Sequence, residues 1–134
     1  MGDAMNLLMM IAILLLPTVS SSAAPDKEVR MQGSYQWEAG GSKDSPLRAT
    51  FTSTGEPDQW TVAFYFRFQG KSHTYRGTAN GSLDNGELAG TVQNENRGRT
   101  WSFRGTSRDG TFTGTHSEKF GGSWSETGTL ELKK

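Results

Sequence analysis

Hydrophobic and polar positions alternate with a period of two residues along most of the chain. The pattern is clearest over residues 60–68, where Trp, Val and three Phe residues occupy every second position. Because successive side chains of a β-strand point to opposite faces, this pattern predicts strands with one buried and one solvated face. Eight strands are predicted, over residues 31–38, 47–53, 60–68, 73–81, 87–93, 99–106, 111–116 and 123–132.

Short turns separate the predicted strands. Asp84-Asn85-Gly86 and Asp109-Gly110 are typical of tight β-hairpins, because Asn, Asp and Gly tolerate positive φ. Only residues 39–46 and 117–122 are predicted to form longer loops. Hairpins between sequential strands indicate an antiparallel meander.

Closure of this meander into a barrel would remove its two unpaired edges. We therefore expect an all-β fold, an eight-stranded antiparallel up-and-down β-barrel, with a β-sandwich as the alternative. Glycine inside a strand costs stability, so the glycines predicted to face inward need a reason, and close packing at barrel corners supplies one. They are Gly33, Gly77, Gly90, Gly105, Gly114 and Gly128.

The beginning of the chain is typical of a targeting signal. An apolar run extends from Leu7 to Leu16, too short to span a bilayer of roughly 30 Å, and small residues follow it. Residues 1–23 are predicted to be a signal peptide cleaved after Ala23, with an uncleaved anchor as the alternative. Residues 24–30 are expected to be a flexible segment before a barrel domain over 31–134. The mature protein is then secreted or periplasmic, without stable membrane insertion.

Composition and motifs exclude several kinds of chemistry. The 14 basic residues balance 14 acidic ones, so nucleic acid is not an expected partner. Cysteine is absent, which excludes disulfides, thiolate metal sites and Cys nucleophiles. Phosphate-loop, His-Glu-x-x-His and Gly-x-Ser-x-Gly motifs are also missing. No catalytic residue, cofactor or metal site is predicted, although His73, His116 and Glu126 leave a metal-dependent enzyme as a minor alternative.

The alternation also sorts the inward side chains by barrel end. The end that the first strand reaches, called the top here, collects both histidines and three of the four Trp residues, whereas Trp60 and several Leu residues lie at the bottom. A polar and aromatic mouth over an aliphatic base is typical of small ligand-binding barrels. The candidate ligand-binding residues are Tyr35, Trp37, Phe68, His73, Trp101, His116, Trp124 and Glu126.

Each candidate also has a purely structural interpretation. The Trp side chains pack well in a core, and a lone His is more often structural than functional. Glu126 is the most unusual, because alternation from Trp124 to Leu132 points its charge inward. Either Tyr35, a His or a ligand pairs with it there, or a β-bulge near Ser125 turns it outward.

The first predicted strand carries a resemblance to known families. Gly33-Ser34-Tyr35-Gln36-Trp37 resembles the Gly-x-Trp start shared by lipocalins and avidins, with Tyr in the place of Trp. The Trp-rich and Gly-Thr-rich meander is similar to avidin-type barrels in particular. The resemblance implies a calycin-type barrel with an aromatic-walled small-molecule site at its open end. The polar residues by which avidins hold biotin find no match, so biotin is not implied.

Two functions follow as hypotheses. The first is an exported barrel that binds a small, partly apolar or aromatic ligand at the top, and it predicts an open cavity of roughly 300 Å³ or more. The second is an exported interaction scaffold or inhibitor with a fully packed core. Its candidate contacts with a partner protein are Lys43, Asp44, Tyr65, Arg67, Lys119 and Phe120.

Overall fold

The computed structural model describes residues 27–40, 44–96 and 98–134 and shows eight strands. Each strand pairs antiparallel with its neighbours in sequence, and the last pairs with the first to close a barrel. The all-β up-and-down barrel is therefore confirmed, and the β-sandwich alternative is wrong. The strands are β1 Glu28–Trp37, β2 Asp44–Ser53, β3 Gln59–Phe68, β4 Lys71–Gly81, β5 Gly86–Asn94, β6 Thr100–Arg108, β7 Thr111–Phe120 and β8 Ser123–Lys133.

Several strands are longer than the alternation predicted. β1 begins at Glu28, so residues 28–30, predicted to be flexible, pair with β2. β7 continues to Phe120, and the predicted loop 117–122 is a tight turn at Gly121 and Gly122, both with positive φ. A single turn of 3₁₀-helix, Glu38–Gly40, follows β1. The predicted signal peptide and Lys43 lie outside the described residues. Within the described ranges, no helix is long and apolar enough to cross a membrane.

The bottom of the barrel is filled with buried apolar side chains. Phe51, Phe112 and Leu132 are fully buried, and Leu83 in the β4–β5 connection packs against the same core. Trp60 donates its indole N–H to the carbonyl oxygen of Gly81 at 3.0 Å, which satisfies its polar group at the rim. This end therefore offers no opening.

The inward glycines lie where neighbouring strands approach closely. A Cβ atom at Gly33 would lie 1.8 Å from the carbonyl oxygen of Glu131, and one at Gly105 would lie 2.0 Å from that of Thr113. Real Cβ atoms do not come so close, so the expected close packing at barrel corners is confirmed.

A β-bulge in β8 reverses the facing of its first residues. His116 pairs with Gly128, but the next residue of β7, Ser117, pairs with Glu126, so Thr127 is the extra residue. Because one added residue shifts the alternation by one, Trp124 and Glu126 face outward and are exposed. The predicted inward orientation of Trp124 is therefore wrong, and of the two alternatives for Glu126 the one with a β-bulge near Ser125 is confirmed.

Candidate ligand-binding site at the open end of the barrel

A cavity of about 170 Å³ opens at the top of the barrel. The ends of β1, β3 and β5 and the starts of β4 and β6 surround it. Below it, beneath Trp101, a void of only about 10 Å³ remains, roughly the space of one water molecule. The cavity therefore ends at the level of Trp101. Its lining residues are Tyr35, Trp37, Phe66, Phe68, Gln69, Lys71, His73, Tyr75, Asn94, Arg99 and Trp101.

Five of the eight candidate residues line this cavity, namely Tyr35, Trp37, Phe68, His73 and Trp101. His116 lies behind the wall, stacked on Trp101. Trp124 and Glu126 lie outside the barrel, on an outer groove that they share with Ser117. The structure thus brings six of the eight candidates together and separates two.

The cavity walls are a set of rings with similar orientation. The ring of Phe66 lies 15° from that of Trp101, 25° from that of Tyr75 and 23° from that of His73, with centroids 5.5–5.8 Å apart. Trp37 closes one side, with its centroid 5.5 Å from Trp101. Offset stacks of this kind resist rotation of any one ring, so the wall keeps its shape without a ligand.

Trp101 lies at the centre of this wall. It is 8% exposed and contacts Trp37, Phe66, Tyr75 and His116. Its indole N–H is buried and has no hydrogen-bond partner among the described residues. Burial of an unsatisfied donor costs about 1–3 kcal/mol, so this position is held by ring packing alone.

His116 is locked behind Trp101 by hydrogen bonds at both ring nitrogens. Nε2 lies 2.8 Å from the carbonyl oxygen of Gln36, which can only accept, so Nε2 carries a proton. The Thr127 hydroxyl donates to the His116 carbonyl oxygen at 3.1 Å and lies 2.7 Å from Nδ1. Burial lowers the pKa of His116. His116 therefore supports the wall and is not presented to a ligand.

The structure contains a buried ion pair at the cavity rim that the sequence pattern did not predict. Glu118 is 1% exposed and accepts two hydrogen bonds from Arg99, at 2.5 Å from Nε and 2.8 Å from Nη2. The hydrogen bond to Glu118 raises the pKa of Arg99. The sequence carries a signal for Glu118, because Phe112, Gly114, His116 and Glu118 continue one alternating face, but the predicted strand ends at residue 116, four residues before the observed end of β7.

The remaining polar groups lie at the mouth. The Asn94 amide is 3.3 Å from Nδ1 of His73, and its carbonyl oxygen accepts from the backbone N–H of Asn96 at 2.8 Å. Burial also raises the pKa of Tyr35, so its phenol stays protonated at neutral pH. Lys71 and Arg99 are the charged residues of the lining, and both are basic.

In the part of the chain that the structure describes, no three His, Cys, Asp or Glu side chains lie close enough together to hold a metal ion. His116 faces inward while Glu126 faces outward, so two residues of the metal-dependent alternative lie on opposite sides of the barrel wall. The cavity presents aromatic faces, two amides and two cations.

Comparisons of the chain with protein-family models, with curated proteins and with solved structures found no match. The closed eight-stranded antiparallel barrel is compatible with a calycin-like fold. The fold and the cavity define a class, a small closed β-barrel with one open, aromatic-walled end, and no comparison narrows it to a family.

Proposed function

We propose that this protein is an exported binding barrel of calycin type that takes a small, partly apolar or aromatic ligand at its open end. The observation that carries the proposal is the cavity of about 170 Å³ bounded by Trp37, Phe66, Tyr75 and Trp101. An opening lined by aromatic faces with a few convergent polar groups is the usual form of a small-molecule site. The segment 1–23 supports export to the periplasm or the medium.

The size of the cavity limits the ligand. It is smaller than the 300 Å³ expected from the sequence and smaller than sites for drug-sized molecules. An apolar cavity of about 150 Å³ holds one benzene molecule. The ligand, or the part of it that enters the barrel, is therefore about one ring in size, and any larger portion projects through the mouth.

A panel of one-ring compounds tests this function. Phenol, benzyl alcohol and cyclohexanol are titrated into the ¹⁵N-labelled mature chain, and amide shifts are followed by NMR. Binding at the cavity should perturb residues at the ends of β1, β3 and β6 and leave Leu83 and Leu88 at the bottom unchanged. A panel in which no compound shifts these amides at millimolar concentration would contradict the proposal.

Two matched variants separate the cavity from the outer surface. Trp37→Ala removes one wall, and we expect about tenfold weaker binding from the lost stacking, about 1.4 kcal/mol. Trp124→Ala makes the same change at the same end, but Trp124 is 46% exposed on the outer face, so affinity should stay within twofold. Equal losses in both variants would place binding outside the cavity.

A second candidate function is an exported interaction scaffold. Phe120 and Trp124 favour it, because both are large apolar side chains exposed at the tip of the β7–β8 hairpin, 52% and 46% respectively. Tyr65 and Arg67, the other outer candidates, contact Arg48 and Ser72 on the barrel itself. Capture of one defined partner that survives Trp101→Ala but is lost in Phe120→Ser/Trp124→Ser would support this function over the first.

A further inference from the structure

Among the described residues, the charged side chains that line the cavity are Lys71 and Arg99, and both are basic. Of the acidic side chains near this end, Glu95 pairs with Arg76 on the outside, Asp44 accepts a hydrogen bond from Gln36 at 2.7 Å, and Glu38 follows Trp37 and acts electrostatically on His116. Because Glu118 neutralises Arg99, the lining and its partners carry a net charge of about one positive unit at the mouth.

Arg99 retains hydrogen-bonding capacity after it has bound Glu118. A guanidinium has five N–H donors, and Glu118 takes the one on Nε and one on Nη2. Both donors of Nη1 and the second donor of Nη2 remain, and they form the edge that suits a carboxylate in bidentate geometry. The Arg99 side chain is 44% exposed and lines the cavity, so this edge is accessible.

The buried carboxylate holds this arginine in place. Glu118 is 1% exposed and keeps two hydrogen bonds to one guanidinium, which fixes the side chain that an exposed Arg would otherwise move freely. An anion that binds Arg99 therefore does not have to order it first, and less conformational entropy is lost on binding.

The aromatic wall selects for a flat ligand. The rings of Phe66, Tyr75 and Trp101 lie within 34° of one another and pack against one another, so a planar group that enters parallel to them can stack on a ring face that opens into the cavity. Aromatic walls also bind organic cations, but Lys71, the lining charge that Glu118 does not neutralise, opposes a cation by like charge. A flat and negatively charged ligand satisfies both features.

We infer that the ligand of this site is a planar aromatic carboxylate of about the size of benzoate, with its ring in the cavity and its carboxylate on Arg99, assisted by Lys71. The inference rests on the proposed function and specifies its ligand class. No covalent step is involved. Arg99 acts as the binding residue, and Glu118 as the positioning residue that presents it.

Three one-ring probes of matched size test the charge preference on the wild-type mature chain. Benzoate, neutral benzamide and cationic benzylamine are compared by isothermal titration calorimetry at pH 7 and low salt. We expect benzoate to bind at least about tenfold tighter than benzamide and benzylamine to bind weakest. Added salt should reduce the difference, because Arg99 and Lys71 are partly or largely exposed.

Variants then assign the preference to named residues. Arg99→Gln/Glu118→Gln removes both charges while keeping two hydrogen-bonding amides, so on this variant benzoate should bind within about threefold of benzamide, the part of the preference that Lys71 supplies. Lys71→Gln changes an exposed residue at the mouth and should weaken benzoate about threefold. Lys119→Gln is the control, because Lys119 lies over Trp124 on the outer face of the same end.

The outcomes separate this inference from the proposed function. If benzamide or benzylamine binds as tightly as benzoate, the cavity binds small molecules but the carboxylate inference is wrong. If the full tenfold preference for benzoate survives in the double variant, Arg99 is not the anion site. If the double variant does not fold, as judged by circular dichroism, Lys71→Gln and the three wild-type affinities still decide. If no probe binds and the neutral panel also fails, the proposed function and the inference fall together.

Discussion

Arg99 and Glu118 are expected to contribute very unequally to stability, although they form one ion pair. The Glu118 side chain is 2% exposed, whereas that of Arg99 is 44% exposed. Arg99→Met therefore leaves a buried carboxylate without a counter-charge. Glu118→Gln leaves an arginine that water can solvate and that can still donate to the new amide oxygen.

The magnitudes follow from these exposures. Removal of one partner of a buried pair costs about 3–5 kcal/mol. Because the open cavity next to Arg99 admits water, we expect the lower end, about 3 kcal/mol, for Arg99→Met. Glu118→Gln should cost about 1 kcal/mol, the net value of a hydrogen bond to a charged group at a partly exposed site. The double variant Arg99→Met/Glu118→Gln should cost less than Arg99→Met alone, by about 2 kcal/mol.

Urea unfolding at pH 7, followed by tryptophan fluorescence and circular dichroism, measures these free energies of unfolding for the four chains of the double-mutant cycle. The prediction requires Arg99→Met to be the least stable chain. If Arg99→Met costs no more than Glu118→Gln, the carboxylate is solvated in the folded chain, and the pair does not present Arg99 as a fixed anion receptor.

Three further predictions concern the wall and the closed end. Gly128→Ala places a Cβ 1.8 Å from the Gln36 carbonyl oxygen and 2.7 Å from His116 Nε2. Urea unfolding should therefore show a loss of about 3 kcal/mol in the free energy of unfolding. The neighbouring control variant, Thr129→Ala, should change this free energy by no more than about 0.5 kcal/mol. Burial lowers the pKa of His116 below the 6.5 of the unfolded chain. Below pH 6.5 the unfolded chain therefore binds more protons than the folded chain, and the free energy of unfolding should fall as the pH drops from 7.5 to 5.5. Glu38, Glu118 and Glu126 oppose this shift, and an imidazole NMR titration that gives a pKa above 6.5 would contradict it. Leu83→Ala, at a position 2% exposed, should cost about 2–3 kcal/mol by calorimetry without changing one-ring binding at the other end.

The regular part of the barrel could be predicted from local patterns. Alternation is a property of each strand by itself, and Asn-Gly and Asp-Gly turns determine which strands become neighbours, so eight strands in meander order could be predicted. Closure followed from the cost of unpaired edges. The aromatic top and the aliphatic bottom followed from strand direction, and five candidates do line the cavity there.

The tertiary structure decided where the alternation breaks and how much space remains. The charge of Glu126 at an inward position allowed a bulge near Ser125, but an inward Glu126 with a partner fitted the sequence equally well. Only the pairing of β7 with β8 decides between them. The one extra residue of the bulge moved Trp124 and Glu126 to the outer face. The pairing of Arg99 with Glu118 joins residues 19 positions apart on neighbouring strands, so only the register brings them together. Cavity volume is the small difference between the space inside the barrel and the side chains that fill it. The alternation of inward and outward side chains determines which side chains enter that space, but only their packing determines the volume that they leave empty.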